Sequence, residues 1–183
     1  MKINELPPLE YLKECFVLDS SLPNGIRWVC DRPLSHFNGE KMYNVWNRRY
    51  SNKPCGYIGN NGYFNTTISD KKYLNHRLVY AITNNTNDFQ HFQIDHIDNN
   101  RSNNNPENLR LATSSQNQFN TVIRKSNTSG YKNIHFNKSL QKYTSSIMSN
   151  GKVIHIGTFE TLEPAIEARD KKAKEIAGIF YNK

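Results

Sequence analysis

Cysteine is scarce in this chain. Cys15, Cys30 and Cys55 are the three thiols among 183 residues, far apart and without a C-x-x-C pair. An odd, scattered set argues against a secreted disulfide scaffold and against a structural zinc site. Reduced thiols in a cytosolic protein are the expectation. Long apolar runs are missing too, and nothing approaches the ~20 consecutive apolar residues of a membrane span. Met1-Lys2-Ile3-Asn4-Glu5 lacks the basic-then-apolar layout of a signal peptide, so a cytoplasmic setting is expected.

Acidic residues thin out along the chain. Residues 1–122 hold 13 Lys+Arg against 11 Asp+Glu, whereas residues 123–183 hold 11 against 5, which places +6 of the net +8 in the last third. That imbalance, with a pI near 9.4, points to a polyanionic partner docked chiefly through the C-terminal part. What the chain has in excess is asparagine, 26 residues of it. They are dispersed among aromatics and charges, which speaks for an AT-rich genome rather than low complexity.

Periodicity gives a coarse map. Leu9, Leu12, Cys15 and Phe16 fall at helical spacing, Ile26–Cys30 reads as a strand, and Glu40–Tyr50 reads as an amphipathic helix. A hairpin follows over Tyr63–Ser69 and Lys72–Leu74 with an Asp70-Lys71 turn, then a short helix over His76–Ile82. Phe92–His96 and Leu109–Leu111 are brief strands around an Asn-dense loop, and Thr113 caps a helix over Ser114–Val122. Residues 123–128 read as a linker. Beyond it come strands Tyr131–Phe136, Lys142–Ser149 and Lys152–Phe159, then a helix from Leu162 to Ala177 capped by Gly178. The expected division is 1–60 (role open), 61–122, the linker, and 129–183.

The chemistry concentrates in Ile94-Asp95-His96-Ile97-Asp98-Asn99-Asn100, Pro106-Glu107-Asn108-Leu109-Arg110 and Ser115-Gln116-Asn117. Phosphodiester hydrolysis needs a cation at the scissile phosphate and a base for the attacking water, and neutral imidazole suits the second task near pH 7. Oxygen ligands suit Mg²⁺ or Mn²⁺. Neighbours on a strand point to opposite faces, so Asp95 and His96 serve one site only if the strand twists or ends there. Asp98 is expected to hold the loop through an Asx turn. Trp28 and Trp46 read as core residues.

These motifs resemble the HNH, or ββα-metal, endonuclease family in its homing-endonuclease branch. The resemblance runs from His76-Arg77-Leu78-Val79 to Asn117 and includes D-H-x-D-x-N, N-x-x-x-N-L-R and S-Q-N. It implies Asp95 and Asn117 as ligands of one divalent metal, Mg²⁺ or Mn²⁺ and not zinc. It also implies His96 as general base and Asn108 as the residue that braces the loop and orients His96. His76 is a candidate phosphate contact and equally a packing residue, and Arg110 is a candidate phosphate or structural contact rather than a catalyst. Many family members end the motif in His where this chain has Asn117.

Residues 127–183 are similar to the plant Apetala/ethylene-response-factor DNA-binding domain. The likeness rests on Ser129-Gly130-Tyr131, on Gly151-Lys152-Val153-Ile154-His155-Ile156-Gly157-Thr158-Phe159, and on Glu163-Pro164-Ala165 with Gly178. It implies a three-stranded antiparallel sheet on one helix, with the free sheet face in a DNA major groove. By alternation Ile134, Tyr143, Ile147, Ile154 and Ile156 face the helix. Lys132, His135, Asn137, Ser146, Met148, Val153 and His155 then face DNA, with Lys152 at the edge. The family's usual Arg and Trp readers are mostly absent here.

The resulting expectation is an α+β chain: a ββα-metal nuclease core followed by a three-stranded antiparallel sheet packed on one helix. It would act as a monomeric, phage-type homing endonuclease on double-stranded DNA, leaving 5′-phosphate and 3′-hydroxyl ends. The rivals are a DNA-binding regulator with a decayed core, which would lack one of Asp95, His96, Asn108 or Asn117, and a structural phage protein with a basic tail.

Overall fold

The computed structural model describes residues 4–121, 123, 127 and 129–181. The chain divides into two compact units, Met1–Leu111 and Ala112–Lys183.

The first unit begins with α1 (Leu9–Cys15), whose Leu12 and Cys15 are buried, and the chain turns directly into β1 (Phe16–Leu18). β1 pairs antiparallel with β2 (Ile26–Trp28). A 3₁₀ turn at Leu34–His36 precedes α2 (Glu40–Tyr50). β3 (Tyr57–Ile58), β4 (Phe64–Ile68) and β5 (Lys71–Leu74) form an antiparallel sheet. The β4–β5 turn sits one residue earlier than the sequence suggests. Ser69 and Asp70, both at positive φ (45° and 62°), are its corners, the handedness that matches twisted hairpin strands. α3 (Asn75–Thr83) follows, and β6 (Gln93–His96) and β7 (Leu109–Ala112) make a two-stranded ribbon.

One apolar core serves this whole unit. Leu12, Phe16, Ile26 and Trp28 from the first thirty residues are buried with Leu78, Val79 and Leu109 from the segment beyond. Burying each such side chain is worth about 1.5–3 kcal/mol, so residues 1–60 and 61–111 stabilise each other. No core boundary falls at residue 60. Trp28 and Trp46 close over Arg32, whose guanidinium carbon lies 5.3 Å and 4.8 Å from their ring centres. They are packing residues, as expected.

In the second unit α4 (Ser114–Phe119) starts with a capping box: Thr113 accepts from the Gln116 N–H while the Gln116 side chain accepts from the Thr113 N–H. It stops at Phe119 rather than running on to Val122, and Val122 lies outside the described residues. Of the expected linker, residues 124–126 and 128 lie outside them too. β8 (Ile134–Asn137), β9 (Lys142–Ser149) and β10 (Lys152–Phe159) form an antiparallel sheet in the order β10-β9-β8. β8 begins at Ile134, not Tyr131, because the chain turns through Asn133 (φ 61°). α5 (Leu162–Ala177) packs on the sheet, burying Ala165, Arg169, Ala173 and Ala177 at four-residue spacing, and Gly178 ends it at φ 53°. Phe119 of α4 packs against Ala112, Ala177 and Phe180, so α4 shares its core with the end of α5.

Candidate active site

Asp95 and His96 are the last two residues of β6, and both are 5% exposed. The strand ends at this pair. β7 carries Arg110, whose Nε donates to Asp95 Oδ2 at 2.9 Å, a charge pair largely withdrawn from water. Of the two expected roles for Arg110, phosphate or structural contact, this pair is the structural one, made on the carboxylate expected to bind metal. His96 Nε2 lies 2.9 Å from Asn104 Oδ1, and Asn104 is fully buried.

The loop between the strands is tied by its own side chains. The Asn100 N–H donates to Asp98 Oδ1 at 2.8 Å, which is the expected Asx turn, and Asn103 Nδ2 donates to Asp98 Oδ2 at 2.7 Å. Asn108 Nδ2 reaches Asp98 Oδ1 (2.9 Å) and the Asn103 carbonyl (2.8 Å), while its Oδ1 accepts from the Asp98 N–H (3.1 Å). Burial opposes the charge of Asp98, but the hydrogen bonds from Asn103, Asn108 and Asn100 outweigh it and hold its carboxyl below the usual range. Asn108 thus grips the loop, whereas the partner on His96 Nε2 is Asn104.

His76, on α3, is 6% exposed, and its ring stands edge-on to His96 with centroids 5.1 Å apart. Burial, then the neighbouring His96 and Arg77, push its pKa down to about 3. The ring is neutral and enclosed, so it packs beside His96 and offers no charge to a phosphate; its Nδ1 has no hydrogen-bond partner among the described residues. Tyr63 flanks both rings, at 5.1 Å and 5.8 Å. Arg101 lies over Tyr63 at 5.1 Å and donates to the Asn61 carbonyl, an exposed cation the sequence reading passed over. Its one signal was being the sole basic residue of the Asn-rich loop.

Asn117 is half-buried on α4, in the second unit. The expected ligand set is one carboxylate and one amide, oxygen donors suited to a hard divalent cation that keeps positions for phosphate and water. Among the described residues, no group of three or more His, Cys, Asp or Glu side chains could hold a metal ion.

Register fixes the faces of the second unit's sheet. His155 pairs with Ser146, Val153 with Met148, His135 with Thr144 and Asn137 with Lys142, so these residues share one face. Ile134, Tyr143 and Ile147 occupy the other. A bulge between His155 and Gly157 leaves Ile156 outside the pairing. Ile156 is therefore not a plain inward position, and the bulge returns Thr158 to the outer face, opposite Thr144. Lys152 is exposed at the start of β10. Lys132 precedes β8 and is half-buried; burial and the nearby Arg169 guanidinium push its ammonium down. It belongs to the turn before the sheet.

Residues 73–119 match the HNH endonuclease family. The matched segment holds His76, Asp95, His96, Asn104, Asn108, Arg110 and Asn117. An uncharacterized HNH endonuclease of Acanthamoeba polyphaga mimivirus is 35% identical over 124 residues, 68% of this chain and 63% of that protein. Protein 3.8 of Escherichia phage T7 is 36% identical over 72 residues, 39% of this chain and 60% of its own length. The chain thus spans less than two thirds of these relatives. No solved structure matches. HNH nucleases generally use a divalent metal. Among the described residues no helix is long and apolar enough to cross a membrane.

Proposed function

We propose that this chain is a metal-dependent, site-specific DNA endonuclease of the HNH homing type, encoded by a virus or mobile element. The observation that carries the reading is the buried Asp95-His96 pair ending β6 inside the matched HNH segment. His96 accepts a proton from the water that attacks the scissile phosphorus. Asp95 and Asn117 would hold a divalent cation, which when bound would neutralise charge at the phosphate and the departing 3′-oxygen. Arg110 holds the Asp95 carboxylate in place. Asn108 and Asp98 keep the loop closed around the strand ends. Hydrolysis then leaves 5′-phosphate and 3′-hydroxyl termini.

Residues 129–183 supply the docking surface in this reading. The outer sheet face, with His135, Asn137, Ser146, Met148 and His155, lies against the duplex, and Lys152 reaches a phosphate at its edge. Lys132 contributes charge from the turn. The protein acts as a monomer on an asymmetric target. Incubation of the purified chain with supercoiled plasmid in Mg²⁺, in Mn²⁺ and in EDTA tests the reading, with end-mapping of the products. Cation-dependent nicking or linearisation that disappears in His96→Ala supports it. No cleavage with either cation, or cleavage unchanged in EDTA, refutes it.

A further inference from the structure

We infer that the N-terminal segment sets the tautomer of His96, with Asn24 and Asn104 as positioning residues; the inference rests on His96 being the base of the proposed cleavage. Asn104 Nδ2 points at the Asn24 carbonyl oxygen, 3.5 Å away, and Asn104 Oδ1 at His96 Nε2, 2.9 Å away. Flipping the amide would set two oxygens against each other, so the acceptor end of Asn104 faces the imidazole. An acceptor at that distance requires hydrogen on Nε2. The neutral ring then carries its basic lone pair on Nδ1.

The Asn24 carbonyl is itself fixed. Asn24 Nδ2 donates to the carbonyls of Ile26 (2.7 Å) and Cys55 (2.6 Å), and Asn75 Nδ2 donates to the carbonyls of Asn24 (3.4 Å) and Cys55 (3.2 Å). Thr66 Oγ1 closes the set by donating to Asn75 Oδ1 at 2.7 Å. Asn24, Thr66, Asn75 and Asn104 are all at most 3% exposed. Apolar side chains would fill this space without the desolvation cost, so what the network adds is orientation.

The backbones meet as closely. The Asn104 N–H donates to the Pro23 carbonyl at 2.8 Å. Gly25, at φ 77°, lies so near that a Cβ there would stand 2.5 Å from the Asn104 carbonyl oxygen and 2.8 Å from Val79 Cγ2. The first sixty residues therefore reach the base through one backbone loop and two asparagines. A ring protonated on the wrong nitrogen would present N–H to the attacking water and take no proton from it.

The test is a long-range ¹H–¹⁵N correlation of the ¹⁵N-labelled, metal-free full chain near neutral pH, with His96 assigned by the loss of its signals in His96→Gln. The wild-type ring should carry its hydrogen on Nε2. Asn104→Ala should release both tautomers, while Asn104→Asp, which keeps an acceptor, should retain the Nε2–H form. In plasmid cleavage Asn24→Ala and Asn104→Ala should lower kcat roughly 10²-fold, the cost of a misplaced catalytic group, with KM for DNA within about twofold, and Asn104→Asp should recover part of the loss. A wild-type ring protonated on Nδ1 overturns the inference without any variant needing to fold. Retention of the pure Nε2–H form in Asn104→Ala overturns it equally. If the tautomers behave as stated but the wild type cuts nothing with Mg²⁺ or Mn²⁺, the nuclease reading fails and the tautomer assignment stands.

Discussion

Removing the Arg110 guanidinium should destabilise the metal-free protein and make its stability depend on a divalent cation. Asp95 is 5% exposed and Arg110 only 16% in its side chain, with 2.9 Å between Nε and Oδ2. Breaking a buried pair by deleting one partner typically costs about 3–5 kcal/mol, because the remaining charge stays out of water. Taking about 3 kcal/mol for Arg110→Ala, the first unit should melt roughly 12 °C lower, at roughly 4 °C per kcal/mol for a unit of this size. A cation on Asp95 would replace the lost charge. At a hundredfold excess over its Kd it restores about 2.7 kcal/mol, and it has no guanidinium to displace. Thermal melts by circular dichroism in EDTA and in saturating Mg²⁺ or Mn²⁺ should therefore show a deep loss and a near-complete recovery for Arg110→Ala. Arg110→Lys, which keeps the charge without the planar fork, should fall between. A variant melting within about 2 °C of wild type in EDTA would refute the pair's structural role. A loss that neither cation repairs would show that Asp95 is not a ligand.

Four further outcomes are expected. His96→Ala should cut the cleavage rate by about 10²–10⁴-fold while DNA affinity in a filter-binding assay stays near wild type. Asp95→Ala and Asn117→Ala should each raise the cation concentration needed for half-maximal cleavage, Asp95→Ala more because it removes the charge; unchanged titrations would misplace the site. Lys152→Ala should weaken binding alike on target and random duplexes and reduce the salt slope by about 0.9 if one phosphate contact is lost, whereas His155→Ala should relax sequence preference instead. His76 is held neutral, its pKa pushed down to about 3 from the ordinary 6.5, so below pH 6.5 the unfolded chain binds the extra proton. Stability from this group is complete above that pH and falls as pH drops towards 3, by up to about 1.4 kcal/mol per unit. In urea titrations His76→Leu should flatten that decline between pH 6 and pH 4, and an unaltered slope would show that the ring titrates normally.

Local rules made much of the fold readable. α2 and α5 carry long apolar periodicity and end on clear breakers, and the Asn150-Gly151 turn, with φ of 49° and 74°, fixes the β9–β10 register. Where the pattern is short, tertiary context decided. β1 is three residues stabilised by β2, and β3 only two, with both residues exposed, so neither leaves a period to detect. Gly157, not Ile156, pairs with buried Ser145, because a bulge breaks the alternation that a two-residue count assumes.

The site divides along the same line. Asp95, His96, Asn108 and Asn117 stand out because type and spacing carry a family signature, and the hydrogen bonds of Asn108 across its loop follow from that spacing. Asn104 does not stand out, being the middle of an Asn103-Asn104-Asn105 run in an Asn-rich chain. Its meaning comes from position: fully buried, with its amide held between the Asn24 carbonyl and His96. Asn24 is harder still, lying 80 residues upstream in a segment the sequence assigns to a separate module. No local period records a contact at that separation. It is registered only by a glycine whose missing Cβ leaves room for the Asn104 backbone, and a single glycine beside an asparagine reads as an ordinary turn until the partner loop is in place.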